Sequence, residues 1–299
     1  MNALSALVAF ALGLAPAAVP SAAPARWETL YEAGVKAQWF TAVWLKSDGS
    51  WRAGGKDLIV SGDAAGVRTT AIEGFVVYAF GEDKAGGVVA VGSRQGVWEE
   101  RGTVFERVHE RPGPPRTGRA AHKDVLEGVR YLDPQRPERL VAYGSLHLTV
   151  SKEPNQAWRS DENDDVASRG SLGPELKPPA GCHTAGWHWV GFNDGILDCH
   201  EGMAYLYSGP TPASLGQLPH ACGMSMRVAV RDGPDVFVVC GQKGQIWRQT
   251  SGEREWTPVA GVTGVQALQA RGGCILVATT RAILRQCAGG ANKSAGTTR

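Results

Sequence analysis

The chain has 299 residues, 43 % of them hydrophobic, with 10 tryptophans, 39 glycines, 17 prolines and a formal net charge of +2. The near-balanced charge argues against a surface for nucleic acid or anionic lipid, and the apolar and aromatic share argues against disorder. Glycine and proline fall mostly between short apolar runs, which is the punctuation of many tight turns, and no run is long enough to span a bilayer.

Residues 1–25 carry no charged side chain, hold an apolar run from Ala6 to Ala15 and end in Ala23, Pro24, Ala25, a small-residue cleavage pattern. They read as an export signal, which places the mature protein outside the cell or in the periplasm. The predicted organisation is a signal over 1–25, one β domain over 26–287 and a disordered tail over 288–299. Arg26 to Gly34 reads as a lone strand. Four predicted strands follow at Phe40–Leu45, Gly49–Gly54, Asp57–Ser61 and Val67–Ile72, and Phe75–Phe80 opens a second set that runs through Gly87 to Val108.

From there a short phrase recurs, an apolar run ending in a turn residue. It appears at Trp51–Gly55, Val88–Gly92, Leu140–Gly144, Trp189–Asn193, Phe237–Gly241 and Leu276–Thr279, in steps of 37 to 52 residues. The runs are too short for helices and match the repeat of a four-stranded propeller blade. Six copies predict an all-β, six-bladed β-propeller of four-stranded blades, with seven blades the alternative. The last copy has strands at Val265–Leu268, Cys274–Ala278 and Ile283–Cys287 but no fourth. The strand at Arg26–Gly34 is predicted to supply it and close the ring.

The phrase Val-Ala-Val-Gly, a short turn and a strand near tryptophan, together with LKSDGSW at Leu45–Trp51, resembles the BNR and YCF48-like group of bacterial propeller repeats. The resemblance covers most of the mature chain. It implies the fold, with assembly or scaffold roles in YCF48-like members and glycan cleavage in sialidase-like ones, and it transfers no functional residue.

Three insertions leave the repeat: the basic Arg111–Ala121, Lys152–Pro179 with its acidic SDENDD, and Ser208–Pro219. Asp161, Glu162, Asp164 and Asp165 have the chemistry of a Ca2+ loop without its spacing, so a solvated charge run is the favoured reading. Trp187 and Trp189 are candidates for stacking on a ligand. Strand alternation sends His188 to the opposite face and makes packing between blades the simpler account.

Six cysteines in an exported chain predict three disulfides. A two-residue turn at Thr280 and Arg281 places Cys274 opposite Cys287. For Cys182, Cys199, Cys222 and Cys240, neighbour pairing is the default, Cys182 with Cys222 the runner-up, and a zinc or copper site with the adjacent histidines the sharper alternative. Ser47 to Trp51 has the residue types of an aspartate box at the wrong spacing. The expected function is a non-catalytic binding or assembly ring for a protein or glycan partner. The alternative is a glycan- or lactone-active hydrolase or lyase at the channel. Three or more carboxylate, imidazole or guanidinium groups converging at the channel mouth would favour chemistry, and a flat apolar or aromatic rim would favour a partner.

Overall fold

The computed structural model describes residues 26–34, 39–111, 113, 125–131, 137–144, 149–161, 178–190, 194–208, 211–222, 226–250 and 252–288. The expected export signal and most of the expected tail lie outside them. The described residues form strands joined by turns, with short 3-10 turns at Ser93–Gln95 and His220–Cys222. In chain order the strands are β1 (Glu28–Glu32), β2 (Phe40–Leu45), β3 (Trp51–Asp63), β4 (Gly66–Glu82), β5 (Val88–Gly92), β6 (Val97–Arg101) and β7 (Val104–His109). Next come β8 (Leu126–Tyr131), β9 (Leu140–Gly144), β10 (Thr149–Lys152), β11 (Arg159–Asp161), β12 (Thr184–Trp189), β13 (Gly195–Cys199), β14 (Met203–Tyr207) and β15 (Ala213–Gln217). The last are β16 (Met226–Asp232), β17 (Asp235–Cys240), β18 (Gln245–Thr250), β19 (Thr257–Pro258), β20 (Val265–Arg271), β21 (Cys274–Thr279) and β22 (Ala282–Cys287).

These strands make five antiparallel sheets: four of four strands, and one of six in the order β2-β3-β4-β5-β6-β7. The sheets stand around a central channel. Counted by its hydrogen-bonded sheets, the propeller therefore has five blades, which corrects the expected six or seven. The difference lies in β3 and β4, where turns were expected near residues 55–57 and 73–74. Asp57 (φ 63°) and Gly74 (φ 72°) take left-handed conformations instead, and the Gly74 N–H donates to Asp57 Oδ1 at 2.8 Å. The two strands thus kink side by side, and the ladder resumes across the kink, with Leu58 opposite Ala71 and Lys56 opposite Val76. Two expected blades run together as one sheet.

The ring closes where the strand count requires it. β1 pairs antiparallel with β22, Thr29 opposite Leu284 and Glu32 opposite Ala282, so the first described strand completes the sheet of β20, β21 and β22. Leu30 and Tyr31 pack onto a core shared by β2, β3, β21 and β22. Pairing the two ends of the chain removes an open sheet edge.

The continuous apolar runs seen in the sequence are strands with a paired neighbour on each side, β5, β13, β17 and β21. β5 and β13 are buried at every position, and Val238, Val239, Leu276 and Val277 are fully buried, because neighbouring sheets press on both faces. Each such side chain contributes about 1.5–3 kcal/mol of apolar burial. Farther out burial is mixed, as in β18, where Ile246 and Gln249 are buried and Arg248 is exposed.

Candidate functional site

Six strands reach the channel: β2, β4, β8, β12, β16 and β20. Each carries the same irregularity, a register break between Phe40 and Ala42, Val77 and Ala79, Leu126 and Gly128, Thr184 and Gly186, Met226 and Val228, and Val265 and Ala267, at the start of every strand but β4, where it follows the kink. A bulge leaves one residue outside the ladder and turns it away from the sheet. The residues so released are Thr41, Tyr78, Glu127, Ala185, Arg227 and Gln266, which ring the end of the channel where these strands start, called here the upper face. Glu127 and Arg227 are exposed, and Tyr78 is 41 % exposed. Trp39, just before β2, is 67 % exposed.

A small residue follows five of the six bulges, Val228 being the exception, and where it is glycine the missing side chain is used. A Cβ on Gly128 would lie 2.3 Å from Tyr143 Oη, and one on Gly186 would lie 2.5 Å from Asp198 Oδ1. The first space admits the half-buried Tyr143, over whose ring the Arg130 guanidinium sits at 6.0 Å. Burial lowers the proton affinity of Arg130; burial also raises the pKa of Tyr143, against the pull of Arg130. The second space admits a buried pair: Asp198, 1 % exposed, has Oδ1 3.6 Å from His188 Nε2, an ion-pair distance beyond a hydrogen bond. Asp198 Oδ2 accepts the Met226 N–H at 3.2 Å, crossing from β13 to the next sheet. Burial pushes the Asp198 carboxyl up, but His188 and the Met226 N–H outweigh it and hold it below the ordinary range.

The channel encloses about 570 Å³. Glu82, Glu127, Arg130, Arg231 and Arg271 all reach it, which exceeds the number set out for a chemical site. At its lower end the charges are bound to one another. Arg271 pairs with Glu82 at 2.9 Å and donates to the Leu45 carbonyl at 3.3 Å, while Arg231 pairs with Asp194 at 2.8 Å and donates to Ser208 Oγ at 3.0 Å. These contacts join separate sheets and hold Glu82, Arg231 and Arg271, three of the five, in ion pairs.

Trp187, one of the stacking candidates, packs within its own sheet. Its ring meets Tyr207 edge-on at 5.3 Å and covers Gly195, where a Cβ would lie 2.0 Å from the indole. Trp189 and Asp161 end β12 and β11, and their side chains are outside the description, as are Glu162, Asp164 and Asp165 altogether. The bulge ring escaped the sequence reading, although its trace is there. Apolar, variable, small recurs as Phe40-Thr41-Ala42, Val77-Tyr78-Ala79, Leu126-Glu127-Gly128 and Val265-Gln266-Ala267.

The disulfides are Cys182–Cys199, Cys222–Cys240 and Cys274–Cys287, with Cα separations of 5.3, 4.5 and 4.0 Å. The neighbours pair, Cys182 and Cys222 do not, and all six sulfurs are committed. Three disulfides fit an oxidising compartment. Among the described residues no helix is long and apolar enough to cross a membrane.

No family model matches the chain, and no curated protein matches it in sequence. Solved structures do. The β-propeller domain of Cps50 (Swd1) from Myceliophteria thermophila aligns with TM-score 0.60 at 9 % identity, over 87 % of this chain and 99 % of that one. A Bacteroides thetaiotaomicron protein of unknown function aligns with TM-score 0.58 at 12 % identity, over 87 % and 75 %. Virginiamycin B lyase from Staphylococcus aureus aligns with TM-score 0.55 at 10 % identity, over 87 % and 98 %. The fold is a β-propeller. At such identities the likeness carries the fold alone, and the BNR and YCF48-like resemblance rests on the repeat phrase.

Proposed function

We propose that this chain is an exported, non-catalytic β-propeller that binds a protein or glycan partner in the cell envelope or outside the cell, through the upper face. One observation carries the reading: the strands around the channel each release one residue at the same point, so that Thr41, Tyr78, Glu127, Arg227 and Gln266 form a chemically mixed ring on a rigid frame. Exposed tyrosine, tryptophan and arginine are side chains that interfaces use most. A second reading, chemistry on a glycan or lactone inside the channel, draws on the charged groups that reach it. The ion pairs at the lower end favour binding.

The test is affinity capture of a partner from the native envelope fraction by the mature protein, repeated with Tyr78→Ala and Glu127→Gln. Both side chains are exposed, so the fold is expected to survive, with capture reduced at least tenfold. Full capture by both variants would remove the upper ring from the account. Turnover of a glycan or lactone abolished by Arg130→Gln would establish the second reading instead.

A further inference from the structure

The upper face is built differently over one arc. In the six-stranded sheet and in the sheet of β8 to β11, a glycine faces the residue before each bulge and is pressed beneath the incoming chain: Gly55 opposite Phe40, Gly92 opposite Val77 and Gly144 opposite Leu126. A Cβ on Gly55, Gly92 or Gly144 would lie 1.9, 1.8 or 1.9 Å from the carbonyl of Trp39, Val76 or Val125. At the matching places of β13 and β17 stand Cys199 and Cys240, opposite Thr184 and Met226. Each is joined to the segment entering its own sheet, through Cys182 and Cys222. Two adjacent sheets thus carry covalently anchored ledges where the six-stranded sheet and the sheet of β8 to β11 carry glycines and the closing sheet carries Thr279.

The ledges are continuous with each other. The His200 N–H donates to the His183 carbonyl at 2.8 Å, the Leu218 N–H to the Gly202 carbonyl at 2.7 Å, and Ala221 lies over Gly241, where a Cβ would be 2.3 Å from its carbonyl. Their exposed polar side chains are His183, His200, Glu201, His220, Arg227 and Lys243. Two permanent cations, Arg227 and Lys243, stand against one carboxylate, Glu201. Glu201 touches His183, and the hydrogen bond from that ring lowers its pKa to about 2, so it stays ionised. The His188 and Asp198 pair lies beneath. A protonated imidazole is a cation, so each histidine that takes up a proton adds a positive charge to the patch.

We infer that this disulfide-anchored arc docks an acidic, extended segment of a protein partner, and holds it more tightly at mildly acidic pH. Charge points to this occupant: imidazole, guanidinium and ammonium groups on three neighbouring turns match a row of carboxylates, and among the described residues the patch has no exposed tyrosine or tryptophan to stack on a sugar ring. The inference rests on the binding reading above and names the partner's chemistry.

The experiment uses the intact, oxidised mature protein and a fluorescein-labelled octa-aspartate peptide, with anisotropy at pH 5.5 and pH 8.0. Binding is expected to be at least tenfold tighter at pH 5.5 and to weaken with salt. The H183Q/H200Q/H220Q variant is expected to bring that ratio below threefold, and Arg227→Gln with Lys243→Gln to weaken binding at both pH values. Ethoxycarbonylation of histidines in the unaltered protein is expected to have the same effect as the triple variant, which separates the role of charge from any loss of fold. Equal binding at the two pH values, or a triple variant that keeps the full ratio, would overturn the inference. So would an oligogalacturonate that binds more tightly than the peptide. Capture through Tyr78 and Glu127 is measured separately, so loss of the acidic preference alone leaves the binding reading standing.

Discussion

Asp198 is nearly sealed from solvent, yet it is held as a carboxylate by His188 on its own sheet and by the Met226 N–H of the next. Its folded pKa lies below the ordinary value. The stability it contributes is therefore present above about pH 4 and lost as pH falls through the folded value. Asp198→Asn is expected to cost about 1–3 kcal/mol at neutral pH in urea unfolding. It is also expected to flatten the loss of stability between pH 4 and pH 2. Parallel acid profiles for the variant and the unaltered protein would show that the carboxylate does not hold the joint between the sheets. The sequence shows His188 pointing away from Trp187 through simple alternation. It does not show Asp198 as its partner, because that contact depends on the register of β12 against β13 and on the missing side chain of Gly186.

Strands were more legible than sheets. The runs VVAVG, DVFVVC and CILVAT could be read as strands because inner strands are covered on both faces and are apolar over most of their length. Cys274 opposite Cys287 could be read because a two-residue turn fixes hairpin register. The blade count could not, since the bond from Gly74 to Asp57 that keeps β3 and β4 laddered through their kinks joins residues 17 apart and leaves no periodic trace. The bulges were hidden for a related reason: an added residue shifts alternation by one place, and that looks like noise in a single strand.

Two outcomes belong to the closing sheet. Removing residues 26–32 strips Leu30 and Tyr31 from their core and exposes β22, and it is expected to cost about 3 kcal/mol from lost burial and to promote self-association. A truncated protein that melts like the mature one and stays monomeric in size exclusion would contradict closure by β1. Replacing Cys274 and Cys287 with alanine opens a loop with sequence separation 13 and is expected to cost about 2–3 kcal/mol in urea unfolding while leaving binding at the upper face intact.

For the whole molecule, the two ends of the channel differ in kind. The lower end is stitched by Glu82, Arg271, Asp194 and Arg231 into contacts between sheets. The upper end releases one side chain per inner strand and, over β12 and β16, anchors its loops with disulfides. Rigid frames that offer varied side chains on one face serve recognition well, since little conformational entropy is lost on docking. The measurement that tests this division most directly is amide hydrogen exchange of the mature protein, alone and with its captured partner. Slowed exchange is expected at the upper turns, around residues 55–58, 75–79, 182–184 and 219–222. Protection confined to the lower turns, around residues 46–50, 83–87 and 271–274, would place binding on the opposite face and contradict the account.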